Sequence, residues 1–310
     1  MRIIITGASG PIGVPLIYGC IKRGIEVLAI VRQNSPRAKY IPQNSLVKVR
    51  DCGVENINSL EKETMGKYDA LIHLAWTHTK GEDRKKSLLQ VQNIELSLIV
   101  AEFARKVGCK VFIGAGSQSE YGVLNEIASE QTPTNPWEAY GMAKLATGQL
   151  ILNHLHNYGM RACWVRIFST YGPYENDYTF ISYIIRALME GNTPDLTQGK
   201  QLWDYLYIED AVDALILLAT VQKANGLYCL GGGDSRSVRS YVETIRDIVR
   251  PGYELSFGSV PYGVNQNMHL EADITRIKRD VGFKPAIRFE EGIKRTYQWY
   301  KGEFSFETEV

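Results

Sequence analysis

Tyr140 and Lys144 stand four residues apart in the segment YGMAK, at the head of a stretch that continues in helical pattern to residue 155. Four residues is close to one helical turn, so both side chains project from one face. An ammonium beside a phenol stabilises the phenolate and lowers the phenol's pKa, which equips a tyrosine to exchange a proton near neutral pH. Two exposed helix residues give the same pattern by chance, so the pair acquires meaning only with other motifs.

The first of these is TGASGPIG at residues 6–13, where Gly7, Gly10 and Gly13 have GxxGxxG spacing between an RIIIT strand pattern and a helix pattern. Glycine lets the backbone turn tightly and bring amides, backed by the positive end of a helix dipole, against a pyrophosphate. By analogy with the dinucleotide-binding fingerprint, this loop, with Ser9, Pro11 and Ile12, is expected to hold a nicotinamide dinucleotide. The second strand pattern, EVLAIV at 26–31, leads into Arg32 where an NAD-binding chain would carry an acid for the ribose hydroxyls. Arg32, helped by Arg37, suits the 2′-phosphate of NADP(H), which is favoured over NAD(H). Asp51 is placed to meet the adenine amino group, with Cys52 as the competing position.

These motifs need a scaffold. Short apolar runs at 3–6, 26–31, 46–49, 70–74, 111–114 and 162–165 alternate with helical periodicity, as at 87–107. That rhythm predicts an α/β fold, a Rossmann-type doubly wound parallel sheet covered on both faces. Beyond residue 170 the texture turns to Gly, Pro, Tyr and Asn clusters, which suits a smaller C-terminal substrate-binding lobe. The expected division is a cofactor-binding domain over 1–169 and a lobe over 170–310, with a strand at 227–230 returning to the main sheet.

The 35 Lys and Arg against 34 Asp and Glu leave almost no net charge to draw the chain to nucleic acid or an anionic membrane. Five isolated cysteines resemble neither a disulfide framework nor a metal clip, and the histidines are scattered, so no metal is expected. With no apolar run of membrane length and no signal-peptide layout, a cytoplasmic enzyme is the default expectation.

With the glycine loop, HLAW at 73–76, GSQSEYG at 116–122 and RIFSTYGP at 166–173, the chain resembles the extended short-chain dehydrogenase/reductases of nucleotide-sugar metabolism. The resemblance runs nearly end to end, including LEADITRIKRDVGFKP at 270–285. It implies a catalytic triad of Ser117, Tyr140 and Lys144: Tyr140 passes a proton to or from a sugar oxygen, Ser117 hydrogen-bonds that oxygen, and Lys144 binds nicotinamide ribose. It further implies dinucleotide contacts from Leu74, Ala75, Trp76, Ile167 and Thr170. Trp76, His78, Gln118, Ser119, Ser169 and Trp203 are the expected substrate contacts, and helices at 87–107 and 139–155 suit the family's homodimer. The basic run at 80–86 is expected to be a solvated face.

The residues also discriminate within the family. Its 4,6-dehydratases carry an Asp-Glu pair where Gln118 and Ser119 stand, and enzymes resembling GDP-fucose synthase carry a cysteine at the position of Ser119. What remains is NADPH-dependent reduction of a 4-keto nucleotide hexose or, alternatively, NAD(P)-dependent 4-epimerisation, and Arg32 favours reduction. A non-catalytic cofactor-binding scaffold is a further alternative, against which the intact triad argues. Two departures concern the substrate: Trp203 stands at the family's diphosphate-binding arginine in WDYLYIED, and PYGVNQNMH at 261–269 lacks a second one. Lys200, Arg236 or Arg276 takes over that grip, Trp203 stacks on the base, or the substrate lacks a diphosphate.

Overall fold

The computed structural model describes residues 1–306. The strand patterns become β1 (Arg2–Thr6), β2 (Glu26–Val31), β3 (Val47–Asp51), β4 (Ala70–His73), β5 (Val111–Ser117), β6 (Asn125–Ala128), β7 (Arg161–Ile167), β8 (Ser169–Tyr171), β9 (Leu202–Trp203), β10 (Tyr205–Tyr207), β11 (Gly226–Leu230), β12 (Arg236–Ser237) and β13 (His269–Ala272). The helices are α1 (Gly13–Lys22), α2 (Glu61–Thr64), α3 (Ser87–Lys106), α4 (Ala139–Asn157), α5 (Phe180–Glu190), α6 (Ile208–Thr220), α7 (Val238–Val249), α8 (Thr275–Val281) and α9 (Phe289–Lys301).

Seven parallel strands form the main sheet in the order β11-β7-β5-β4-β1-β2-β3. The winding direction reverses between β1 and β4, the place where open α/β sheets bind ligands beyond their strand ends. Both faces are covered, which is why β1, β2 and β4 are apolar without alternation and almost wholly buried. Phe103 of α3 and Ile151 and Leu155 of α4 pack over Leu71, Phe112 and Trp164 on one face. Leu16 and Ile17 of α1 and Leu215 and Ala219 of α6 join Ile5, Ile113 and Val165 on the other.

A smaller sheet has the order β12-β9-β13-β6, and β8 pairs with β10. Its β6 comes from the stretch between β5 and α4, while α6 and β11, from the second half of the chain, belong to the main layer. A cut at residue 169 therefore runs through both layers.

One detail of packing brings the chemistry together. Gly114 and Gly116 on β5 and Gly148 on α4 all face Trp164, and a Cβ at any of them would lie 2.5 Å from an atom of that indole. Glycine at these positions lets α4 lie close against β5, so Tyr140 and Lys144 reach the strand end carrying Ser117. All five cysteines are free and buried. No helix among the described residues is long and apolar enough to cross a membrane.

Candidate active site

The glycine loop leaves no room for side chains. Gly7 has φ +70°, and a Cβ there would lie 2.7 Å from the Ala75 nitrogen; at Gly13 it would lie 2.4 Å from the Gly7 carbonyl oxygen. The Gly10 amide donates to that same carbonyl at 2.9 Å, closing the turn before α1. Leu74 and Ala75 follow β4 directly, with the Leu74 amide donating to the Thr6 carbonyl at 3.0 Å. Gly7 thus lets the loop lie on the 74–75 backbone, and Gly10 and Gly13 let it fold closely over the Gly7 carbonyl, a cradle that fits a dinucleotide's pyrophosphate. Ser9 shares a hydroxyl hydrogen bond of 3.1 Å with Ser35, and Pro11 and Ile12 lead into the helix.

At the adenosine corner, Arg32 is exposed just past β2, and Asp51 is exposed at the end of β3, in register with Val31. Arg37 does not help Arg32. Its Nε donates to the Ser9 carbonyl at 2.9 Å and its Nη2 to the Tyr174 carbonyl at 2.5 Å, so it ties the glycine loop to the segment that follows β8.

Ser117 ends β5, its hydroxyl accepting from the Ser119 amide at 3.2 Å. The chain then makes a tight turn held by Glu120, whose carboxylate accepts from the Ser117 amide at 2.9 Å, from Trp164 Nε1 at 2.9 Å and from Arg166 Nε at 2.7 Å. Tyr140 opens the first turn of α4. Burial pushes its phenol up, opposed by Arg84 and by the Ser117 hydroxyl, both of which favour the ionised form. Lys144 is 4% exposed and donates to the Ala115 carbonyl at 2.7 Å. Its ammonium also lies 3.7 Å above the Trp76 ring, and burial pulls its pKa down to about 7. Trp76 stands edge-on to Tyr140 with ring centroids 6.1 Å apart. Ser117, Tyr140, Lys144 and Trp76 therefore share one site.

On the opposite rim, Trp203 Nε1 donates to the Ser169 hydroxyl at 2.8 Å, and Thr170 continues β8 after buried Ile167. Arg236 stands opposite Trp203 in the β9–β12 register, with its Nη1 2.6 Å from Glu290 Oε1. Arg276 lies elsewhere: it bonds the Asn225 carbonyl before β11 starts, at the end of the sheet away from Ser117. Lys200 is exposed beside β9. Gln118 and Ser119 lie between Ser117 and Glu120, and Gln118 Oε1 is buried without a hydrogen-bond partner. The His78 ring sits 3.2 Å from Asp83 Oδ2 on its own loop.

The NAD dependent epimerase/dehydratase family model matches residues 3–231. The chain belongs to that family. Full-length similarity agrees: it is 27% identical to the UDP-N-acetyl-alpha-D-glucosaminuronate decarboxylase of Bacillus cytotoxicus, over 97% of this chain and 98% of the relative. It is 25% identical to the dTDP-glucose 4,6-dehydratase of Escherichia coli, over 97% and 92%. The fold matches the UDP-N-acetylglucosamine 4-epimerase of Methanobrevibacter ruminantium M1 in complex with UDP-N-acetylmuramic acid, with a TM-score of 0.89 at 22% identity, covering 98% of this chain and 99% of that one.

This member of the epimerase/dehydratase family has site residues whose roles its motifs alone do not reveal. His73, ending β4, bridges Thr6 Oγ1 at 2.7 Å and Ser97 Oγ at 3.0 Å, and burial pushes its pKa down to about 3, so it is neutral. Asn93 accepts from the Thr77 amide at 2.9 Å, and Gln90 accepts from Trp76 Nε1 at 3.0 Å and donates to the His78 carbonyl at 2.8 Å. Gln90, Asn93 and Ser97 recur at i, i+3 and i+7 on α3, a polar stripe where a core-facing helix should be apolar. That stripe is the signal that could have found them.

The basic run at 80–86 departs from its expected role. Lys80, Lys85 and Lys86 are exposed, but Arg84 turns inward, its guanidinium carbon 4.1 Å from the Tyr140 ring centroid. The run's alternating charges conceal this, because only the tertiary turn of the loop decides which cation faces the cleft.

Proposed function

We propose that the chain reduces the 4-keto group of a nucleotide-linked 6-deoxyhexose, with NADPH as reductant. When bound, a reduced nicotinamide supplies hydride to the carbonyl carbon. Tyr140 gives its proton to the carbonyl oxygen as that oxygen becomes a hydroxyl, and Ser117 hydrogen-bonds the same oxygen. Lys144, rooted on the Ala115 carbonyl, orients the nicotinamide ribose and holds positive charge near the phenol. Gly7, Gly10 and Gly13 would hold the pyrophosphate of the dinucleotide and Arg32 its 2′-phosphate.

The observation that carries the choice of reaction is the state of the carboxylates around Tyr140. Gln118 and Ser119 supply none, Glu120 is buried in an ion pair with Arg166 at 2.7 Å, and Glu138 is paired with Arg84 at 2.9 Å. Elimination of water needs an acid and a base, and neither carboxylate is free to be one. Arg32 supports reduction over cofactor-recycling 4-epimerisation, since it favours the dinucleotide drawn on as a stoichiometric reductant.

Trp203 and Arg236, paired across β9 and β12, are the assigned contacts for the nucleotide, the indole for the base and the guanidinium for the diphosphate. The exposed apolar residues Leu88 and Val91 on α3 and Met142 and Leu150 on α4 suit a homodimer built on these two helices.

A panel of 4-keto and 4-hydroxy nucleotide sugars, incubated with and without NADPH, tests the reaction. One NADPH is expected to be oxidised per 4-keto sugar consumed. Conversion of a 4-hydroxy sugar to its C4 epimer without added reductant would replace this reading by epimerisation.

A further inference from the structure

Arg84 is the charged group at this site that the proposed chemistry leaves unused. It belongs to the short turn Gly81–Lys85, which Gln90 tethers from behind by donating to the His78 and Asp83 carbonyls at 2.8 and 3.1 Å. Lys85 and Lys86 face solvent, paired with Glu82 and Asp83 on their own loop. Arg84 alone among these three points into the cleft. Its Nε lies 2.9 Å from Glu138 Oε2, its Nη2 3.1 Å from the Ser119 hydroxyl, and its carbon sits over the Tyr140 ring.

Partners on two separate elements, the start of α4 and the turn after β5, fix a planar guanidinium far more closely than one surface ion pair would. Two of them belong to the machinery: Glu138 is the residue on which α4 starts, two before Tyr140, and Ser119 is in the turn whose amide holds Ser117.

We propose that Arg84 is a positioning residue for Tyr140, holding its guanidinium over the phenol ring and tying the start of α4 to the turn after β5. The inference rests on the reading of Tyr140 as the proton carrier.

Distance supports a role for Arg84 beside Lys144. The Lys144 ammonium is 5.9 Å from the Tyr140 ring centroid, against 4.1 Å for the Arg84 carbon, and it is already committed to Trp76 and the Ala115 carbonyl. The other charges facing the phenol are Glu138, spent on Arg84, and Glu120 behind Ser117, spent on Arg166. His73, behind Lys144, is neutral. Burial and, less strongly, the Glu120 charge oppose ionisation of Tyr140, and Arg84 acts against them together with the Ser117 hydroxyl.

The test is a direct titration of Tyr140 in the full chain with oxidised NADP added. Tyrosine carrying 13C at Cζ reports ionisation, and the Tyr140 resonance is the one that disappears in Tyr140→Phe. In Arg84→Gln the midpoint is expected to rise by about one pH unit or more, as for loss of an opposite charge at this range, whereas Arg84→Lys, which keeps the charge without the planar fork, shifts less. Coincident midpoints in the wild type and Arg84→Gln would overturn the proposal. So would an Arg84→Lys shift as large as that of Arg84→Gln, which would trace the effect to packing, or a wild-type phenol that stays protonated to the alkaline limit of the folded protein. Because the titration uses no sugar, it is decided separately from the reductase reading.

Discussion

The two rims of the cleft are built by different means. On the cofactor rim the work is done by backbone: three glycines in seven residues and the loop at 74–75 shape a cradle in which a Cβ at Gly7 or Gly13 would lie 2.7 Å or less from a backbone atom. On the rim proposed for the substrate it is done by side chains from separate places, Ser169 on β8, Trp203 on β9, Arg236 on β12 and Gln118 after β5. Backbone cradles tolerate almost no substitution, so they leave a local signature. A rim of side chains can be rebuilt one residue at a time, and here Trp203 stands where the family resemblance places an arginine. The dinucleotide rim thus speaks for a class of chemistry, while the other rim speaks for one member's substrate.

The largest effect that would break this picture sits between the rims. Tyr140→Phe should lower turnover by about two to four powers of ten while leaving NADPH binding nearly intact, measured by steady-state kinetics and by nucleotide fluorescence titration. A fully active variant would remove Tyr140 from the mechanism. Next comes Gly7→Ala, which places a Cβ at φ +70° against the Ala75 nitrogen. We expect NADPH affinity to fall by about a hundredfold in a protein with native circular dichroism, and unchanged affinity would mean that the cradle does not hold the pyrophosphate.

Smaller effects separate the rims from each other. Arg32→Asp should narrow or reverse the proposed preference for NADPH over NADH, by about tenfold as for loss of one charge-assisted contact, without altering the affinity for a nucleoside diphosphate. Trp203→Ala should do the converse. Loss of the indole stack would weaken binding of UDP or dTDP by about tenfold, read by calorimetry, and leave NADPH affinity unchanged. If each variant disturbed both ligands equally, the separation into two independently built rims would fail.

Legibility followed the same division. The parallel sheet was readable because β1, β2 and β4 are short, unbroken apolar runs, and only a doubly covered sheet buries such strands. The glycine loop and the YxxxK pair were readable because each lies within one local element. Arg84 was not, since Lys80, Arg84, Lys85 and Lys86 look alike in sequence and only the tether from Gln90 turns one of them inward. Arg37 misled for the same reason: its position beside β2 suits a phosphate, yet two carbonyls from distant segments, Ser9 and Tyr174, occupy it. Glu120 sits beside Ser117, where a dehydratase-like carboxylate might be sought, but Arg166 and Trp164, over forty residues away, turn it into a structural anchor.

The smallest effect concerns stability, and it probes whether Lys144 is kept for function. Burial holds its pKa at about 7 in the fold, against 10.5 for an ordinary lysine. A folded-state pKa below the unfolded one means that the unfolded chain binds the proton more tightly. Above about pH 10.5 both forms are neutral and nothing is lost. As pH falls from there toward 7, the unfolded chain takes up a proton that the folded chain resists, and stability drops by at most about 5 kcal/mol before levelling off. Lys144→Met removes that penalty but leaves the Ala115 carbonyl without its donor, a cost of about 1–3 kcal/mol. At neutral pH the first term is the larger, so the variant should melt a few degrees above the wild type, at about 2–4 °C per kcal/mol. Near pH 10.5 only the lost hydrogen bond remains, and the order should reverse. Thermal melts of both proteins at pH 7 and near pH 10 decide the matter. A variant that is less stable at both would show that Trp76 and the Ala115 carbonyl fully repay the burial of the ammonium, and that Lys144 needs no functional reason to be there.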